Sequence, residues 1–118
     1  MIESTWFKTF TSLNELKECF RSHLAEHSIY DLSITQAYIL AELYARNAQH
    51  ATELARAVGA LPTSFTPVLD VLEKRKLIAR NHDPKDRRAI LICLTAKGRV
   101  YGETVTVVHE QVEAEYRK

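Results

Sequence analysis

Two short apolar runs flanking a charged hexapeptide constrain this chain more than any other stretch. Leu77-Ile78-Ala79-Arg80 and Ala89-Ile90-Leu91-Ile92-Cys93-Leu94 are aliphatic or β-branched and too short for helices, so they predict a β hairpin. Between them, Asp83-Pro84-Lys85-Asp86-Arg87-Arg88 forms the tip loop. Pro84 fixes φ there, and the Asp83 carboxylate accepts backbone N–H groups to close a turn. A tip has no core to receive Lys85, Arg87 and Arg88, so their cations face outward. Guanidinium groups mounted this way suit phosphates and the narrow minor groove of a duplex. Composition alone favours an ordinary solvated hairpin, so what lies upstream decides between the two.

Upstream, apolar residues recur at helical spacing. Trp6, Phe7, Phe10, Leu13, Leu16, Phe20 and Leu24 mark one face of a helix over about 5–27, and a Ser12-x-x-Glu15 box encodes an alternative start at 13. Ser33 and Gln36 form a second such box, opening a helix that runs through Tyr38, Ile39, Leu40, Leu43 and Tyr44 to Asn47. A short helix over 51–58 follows, with Gly59 suited to the left-handed position after its end. Pro62 then starts a helix carrying Phe65, Val68, Leu69 and Leu72 as far as Lys76. Two short helices around a tight turn make a helix-turn-helix, and the hydroxyls of Thr63, Ser64 and Thr66 at the second N-terminus suit base edges and phosphates. With a basic hairpin directly after it, the pattern is a winged helix.

Thr95 caps a last helix with Tyr101, Val105, Val108, Val112 and Tyr116 on one stripe. That stripe exceeds what a domain this small covers. It predicts a dimer interface shared with Trp6, Phe7 and Phe10 of the first helix.

Charge is unevenly placed. Residues 73–99 hold nine Lys/Arg against three Asp/Glu, while the segments on either side are net negative. One segment therefore carries the whole positive field, the footprint expected for a polyanion. The 118 residues fit a single domain, 1–118, in which 1–30 and 100–118 are dimerisation helices and 31–99 a DNA-binding lobe. No apolar run exceeds six residues and the N-terminus lacks a signal-peptide pattern, so a cytoplasmic protein without a membrane span is expected. Cys19 and Cys93 belong to no C-x-x-C or disulfide pattern and are expected to be reduced.

Several motifs now stand in order: Leu32-Ser33-Ile34-Thr35-Gln36-Ala37, Glu53-Leu54-Ala55 with Val58-Gly59, Leu69-Asp70 with Leu72-Glu73-Lys74-Arg75, the segment Asp83 to Ala89, and Leu94-Thr95-Ala96-Lys97-Gly98. Over residues 30 to 100 this resembles the MarR family of bacterial and archaeal winged-helix transcription regulators. The resemblance implies a mainly α fold with a small β hairpin, forming a homodimer on a pseudo-palindromic operator of double-stranded DNA. Thr63, Ser64 and Thr66 would face the major groove. Asp86 would pin Arg88 through a charge-assisted hydrogen bond so that Arg88 enters the minor groove, and Arg87, Lys85 and Arg80 would serve phosphates. The expected activity is transcription regulation, as a repressor released by a small aromatic ligand held among Tyr30, Tyr38, Tyr44 and Tyr101. Against that stands the reading, favoured by the residues alone, that those tyrosines are amphipathic core edges with hydroxyls in water.

This sequence departs from the family pattern at four positions. Pro67 and Val71 replace frequent polar or basic readers, Lys76 the usual glycine, and Leu61 the usual hydroxyl cap. Pro67 removes a helical hydrogen bond, which favours a late helix start capped by Thr63 or Ser64. Family members continue past the point where this sequence stops, so helices one and five either pair alone or belong to a longer chain.

Other functions find little in the residues. Cys19 near Lys17 and Arg21 is a weak redox candidate beside its reading as a packing residue. His23 with His27, and His109 with Glu113, are spaced for a metal, but neither pair has a third ligand, so no metal or cofactor is expected. No H-E-x-x-H, phosphate loop or G-x-S-x-G elbow points to an enzyme. The competing reading is a winged helix used as a protein-interaction module for an acidic partner.

Overall fold

The computed structural model describes residues 4–117; residues 1–3 and 118, the extremes of the expected domain, lie outside them. Five helices and a three-stranded antiparallel sheet follow in the order α1 (Thr5–Glu26), α2 (Ile34–Ala45), β1 (Gln49–His50), α3 (Ala51–Ala57), α4 (Pro62–Lys74), β2 (Ile78–Asp83), β3 (Asp86–Leu94) and α5 (Ala96–Tyr116). The sheet order is β1-β3-β2, giving a winged helix-turn-helix.

Local signals set most boundaries. Ser33 accepts from the Gln36 amide at 3.1 Å while Gln36 Oε1 accepts from the Ser33 amide at 2.9 Å, the reciprocal box expected at the start of α2. Thr95 Oγ1 accepts from the Gly98 amide at 2.9 Å and opens α5. At the start of α1, Ser4 accepts from the Phe7 amide at 3.1 Å, so the helix begins there and runs through the alternative start at Ser12. Beyond α3, Gly59 takes φ +69°, with its amide bonded to the Arg56 carbonyl and that of Ala60 to Ala55. Lys76 does the same after α4, at φ +62° and without glycine's freedom.

Two expectations about α4 and the hairpin are corrected. The helix starts at Pro62 with Leu61 as its cap residue, not late at Thr63 or Ser64. Pro67 is its sixth residue, so the missing N–H deprives only the Thr63 carbonyl, and the first turn is held by Ser64, whose amide and hydroxyl both meet the Leu61 carbonyl at 3.1 Å. In the hairpin, the loop is only Pro84-Lys85, and Asp86, Arg87 and Arg88 belong to β3. The turn has no positive φ, so it lacks the mirror-image twist that tight hairpins favour, and a register shift between His82 and Asp83 accompanies it.

A third strand was not expected. β1 is two residues long, pairing Gln49 with Ile92 and His50 with Leu91, too short to leave a periodic signal.

The core joins Phe20 and Leu24 of α1, Ile39, Leu40 and Leu43 of α2, Leu54 of α3, Phe65, Leu69 and Leu72 of α4, Ile78, Ile92, and Val105, Val108 and Val112 of α5. The three valines expected at a dimer interface are thus buried inside one chain, at 0%, 0% and 5% exposure. α2 covers them, because α5 carries Gly102 where a Cβ would crowd the Leu40 carbonyl and Tyr44. Of the other expected interface residues, Trp6, Phe10 and Tyr116 are exposed and Phe7 half-buried. Among the described residues no helix is long and apolar enough to cross a membrane.

Candidate nucleic-acid interface

The amphipathicity of α4 decides which side chains it offers. Phe65, Leu69 and Leu72 turn inward, which leaves Thr63, Ser64 and Thr66 together on the exposed face, as the sequence reading has them. Asp70 and Glu73 share the exposed side of α4, and both are claimed by Arg80 from β2. Its Nη2 lies 2.9 Å from Asp70 Oδ1 and its Nη1 2.6 Å from Glu73 Oε1. Arg80 was expected to serve phosphates; it instead bridges strand to helix, only a quarter exposed, and cancels the acids beside the hydroxyl face.

The wing stands clear of the core. From Asp86 to Arg88 every residue of β3 is exposed on both faces, and burial resumes only towards Ile92. Lys85, Arg87 and Arg88 are exposed there, and among the described residues none of the three is in an ion pair. Asp86 does hold Arg88, but through its backbone: Oδ1 accepts from the Arg88 amide at 3.0 Å, so the expected side-chain pin is not made and the guanidinium points free. The Asx turn expected at Asp83 is present, with Oδ1 accepting from the Lys85 amide at 2.9 Å.

A tether at the tip end of the wing, just before its turn, went unseen in the sequence. His50, at the end of β1, places Nε2 3.0 Å from Asp83 Oδ2 and Nδ1 2.9 Å from Glu53 Oε1. The hydrogen bond to Asp83 leads in raising the His50 pKa, with Glu53 helping against the desolvation that lowers it. Asp83 is held low by the Lys85 amide first and His50 second. The imidazolium therefore couples wing and α3. No spacing rule links residues 50 and 83; only the short β1 pairing brings them together.

The four tyrosines do not converge on one pocket. Tyr38 is half-buried, its hydroxyl 2.7 Å from His109 Nδ1 and its ring against Phe20, and burial followed by the Glu113 charge raises its pKa. Tyr44 packs beside Gly102, and Tyr101 lies under Lys97 Nζ. Tyr30 borders a cleft of about 380 Å³ between α1 and the segment entering α2, with Arg21, Ala25, Ile29 and Ser33. The Cys19 thiol has its pKa raised, by burial first and then by Glu115, the opposite of a reactive thiolate.

Comparison with known proteins agrees with this architecture. The profile of the MarR family matches residues 32–90, from the start of α2 through the wing. The chain belongs to the MarR family. In Bacillus subtilis the HTH-type transcriptional repressor MdtR is 35% identical over 81 residues, covering 69% of this chain and 52% of MdtR. The chain thus spans about half the length of that curated relative. Among solved structures, the transcriptional repressor CouR bound to a 23-mer DNA duplex superposes with a TM-score of 0.79 at 26% identity, over 96% of this chain and 78% of CouR. Bordetella bronchiseptica BpsR, whose DNA binding is regulated by 6-hydroxynicotinic acid, gives 0.82 at 25% identity, over 96% and 79%.

Proposed function

We propose that this MarR-family chain is a DNA-binding transcriptional regulator, a cytoplasmic repressor that acts as a homodimer by binding and not by catalysis. The observation that carries the reading is the wing: a β finger exposed on both faces, with Lys85, Arg87 and Arg88 outside any ion pair among the described residues. Each wing would lie along a minor groove while Thr63, Ser64 and Thr66 of α4 meet base edges in the adjacent major groove, two copies reading half-sites one helical turn apart. Trp6 and Phe10, stacked at 5.5 Å and exposed beside Leu13, would supply the pairing face. The kinship with MdtR and CouR supports repression, and that with BpsR supports release by a small aromatic acid. Its place would be the Tyr30 cleft, where Arg21 offers a cation beside apolar walls.

Duplexes selected from a random pool, followed by anisotropy titrations at several salt concentrations, test the reading. Arg88→Ala is expected to weaken the selected site by about 1–3 kcal/mol with no change in melting temperature. If Arg88 meets a phosphate, the salt slope also falls by about 0.9. Equal affinity for the variant and the parent chain, or binding indifferent to salt, refutes it and favours a protein partner.

A further inference from the structure

α1 and α5 meet at three side chains that the DNA interface does not use. Cys19 and His23 stand one turn apart on α1, and Glu115 reaches them from α5. The Cys19 thiol donates to Glu115 Oε2 at 3.1 Å, and His23 Nε2 lies 2.7 Å from Glu115 Oε1. All three donor atoms fall within 4.8 Å of one another. The sequence reading paired His23 with His27, yet Cys19 is equally one turn away, and the third group comes from the other end of the chain.

We propose that Cys19, His23 and Glu115 bind one borderline divalent transition ion, zinc in the first instance. Tetrahedral bonds of about 2.0–2.3 Å set donor atoms roughly 3.3–3.6 Å apart. Glu115 lies at hydrogen-bond length from both partners, so an ion replacing the shared protons opens those two contacts by less than about 1 Å, within reach of Glu115's own rotamers. A thiolate, an imidazole and a carboxylate together exclude magnesium and calcium, which take oxygen ligands, and suit zinc or cobalt.

Independent support comes from the far side of the imidazole. Among the described residues His23 Nδ1 is buried without a hydrogen-bond partner, and it sits 3.5 Å from Glu26 Oε2. A slight approach makes Glu26 the acceptor for Nδ1–H, which fixes the tautomer with Nε2 free for the ion, the carboxylate–histidine–metal arrangement. The His23 side chain is 16% exposed and Glu115 about half, so an ion can enter and water can take the fourth position. Binding releases the thiol proton and the proton held between His23 and Glu115 to solvent.

Cobalt(II) titration of the reduced protein, read by absorption, tests this. One equivalent is expected to give a sulfur-to-cobalt charge-transfer band with the intense visible bands of four-coordinate cobalt, and zinc is expected to bleach both. Cys19→Ser is expected to abolish the charge-transfer band and Cys93→Ser to keep it. His23→Gln and Glu115→Gln are expected to weaken cobalt by more than about tenfold. A wild-type spectrum without the band, or one retained by Cys19→Ser, overturns the site. As a second measurement, zinc at one fixed concentration is expected to raise the melting temperature of the wild type more than that of Glu115→Gln, whose exposed position tolerates the change. Equal shifts for the two count against the site. Both readouts are made without DNA, so their outcome is separate from that of the regulator reading.

Discussion

Replacing Val108 by alanine distinguishes a core valine from an interface valine. Val108 is fully buried among the cluster that joins α1, α2 and α5. Losing two carbon groups forfeits about 1.6 kcal/mol of transfer free energy, and the unrelaxed cavity raises the cost to roughly 2–3 kcal/mol. In a domain of this size that lowers the melting temperature by roughly 8–15 °C. Trp6 is the opposite case, 70% exposed, so Trp6→Ala is expected to leave the subunit's own stability nearly unchanged. Its loss instead weakens self-association, by about 2 kcal/mol if Trp6 anchors the pairing face. Circular-dichroism melts over a wide concentration range, paired with sedimentation, separate the two effects. Val108→Ala should melt early at every concentration with an unchanged dimer constant, and Trp6→Ala should do the reverse. A Val108→Ala protein that melts within about 2 °C of the parent yet falls to monomers would refute the assignment of this valine to the core.

Three further outcomes follow from particular contacts. Lys76→Gly should stabilise the fold by about 0.5–1 kcal/mol in denaturant titrations, because glycine takes the left-handed φ of +62° without the Cβ penalty; a loss of stability contradicts this. Arg80→Ala should cost no more than about 1 kcal/mol of stability, its partners Asp70 and Glu73 being well exposed, but should weaken DNA binding by uncovering both acids. Adding Asp70→Asn and Glu73→Gln should restore affinity, and a triple variant as weak as Arg80→Ala would mean that Arg80 itself touches DNA. The His50 tether should depend on pH. Its pKa is raised, so its contribution is complete below the ordinary 6.5 and lost as pH rises through the raised value; Asp83's is lowered, so its contribution is lost only as pH falls through a value below 3.8. The stability difference between wild type and His50→Gln should therefore be largest between pH 3.8 and 6.5 and fade as the pH rises further, and a flat difference excludes the bridge.

What the sequence made legible is what a residue and its near neighbours decide. Ser33 with Gln36, Thr95 with Gly98, and Gly59 each solve a local shortage of hydrogen-bond partners, and each sits where expected. The stripe on α5 was read correctly as apolar but assigned the wrong cover, since periodicity shows that a face is buried and not by what. Arg80 was misplaced for the same reason: its partners lie seven and ten residues away on another element, and only the packing of β2 on α4 brings them together. The extension of β3 to Asp86 was missed because a strand exposed on both faces has no hydrophobic alternation to reveal it.

These pairings redistribute the positive field that composition locates between residues 73 and 99. Arg80 is spent on Asp70 and Glu73, and Arg75 donates to the Asp31 carbonyl at 2.9 Å. Among the described residues the cations left outside ion pairs on the wing are Lys85, Arg87 and Arg88, while the exposed start of α4 is a nearly uncharged face of hydroxyls. Attraction to phosphate acts on any duplex, whereas hydroxyl contacts to base edges depend on sequence. In the proposed complex the wing would therefore supply much of the affinity and of its salt sensitivity, and the start of α4 the discrimination. The Arg80 clamp is what makes that division possible, because without it two carboxylates would face the phosphates from the reading helix itself.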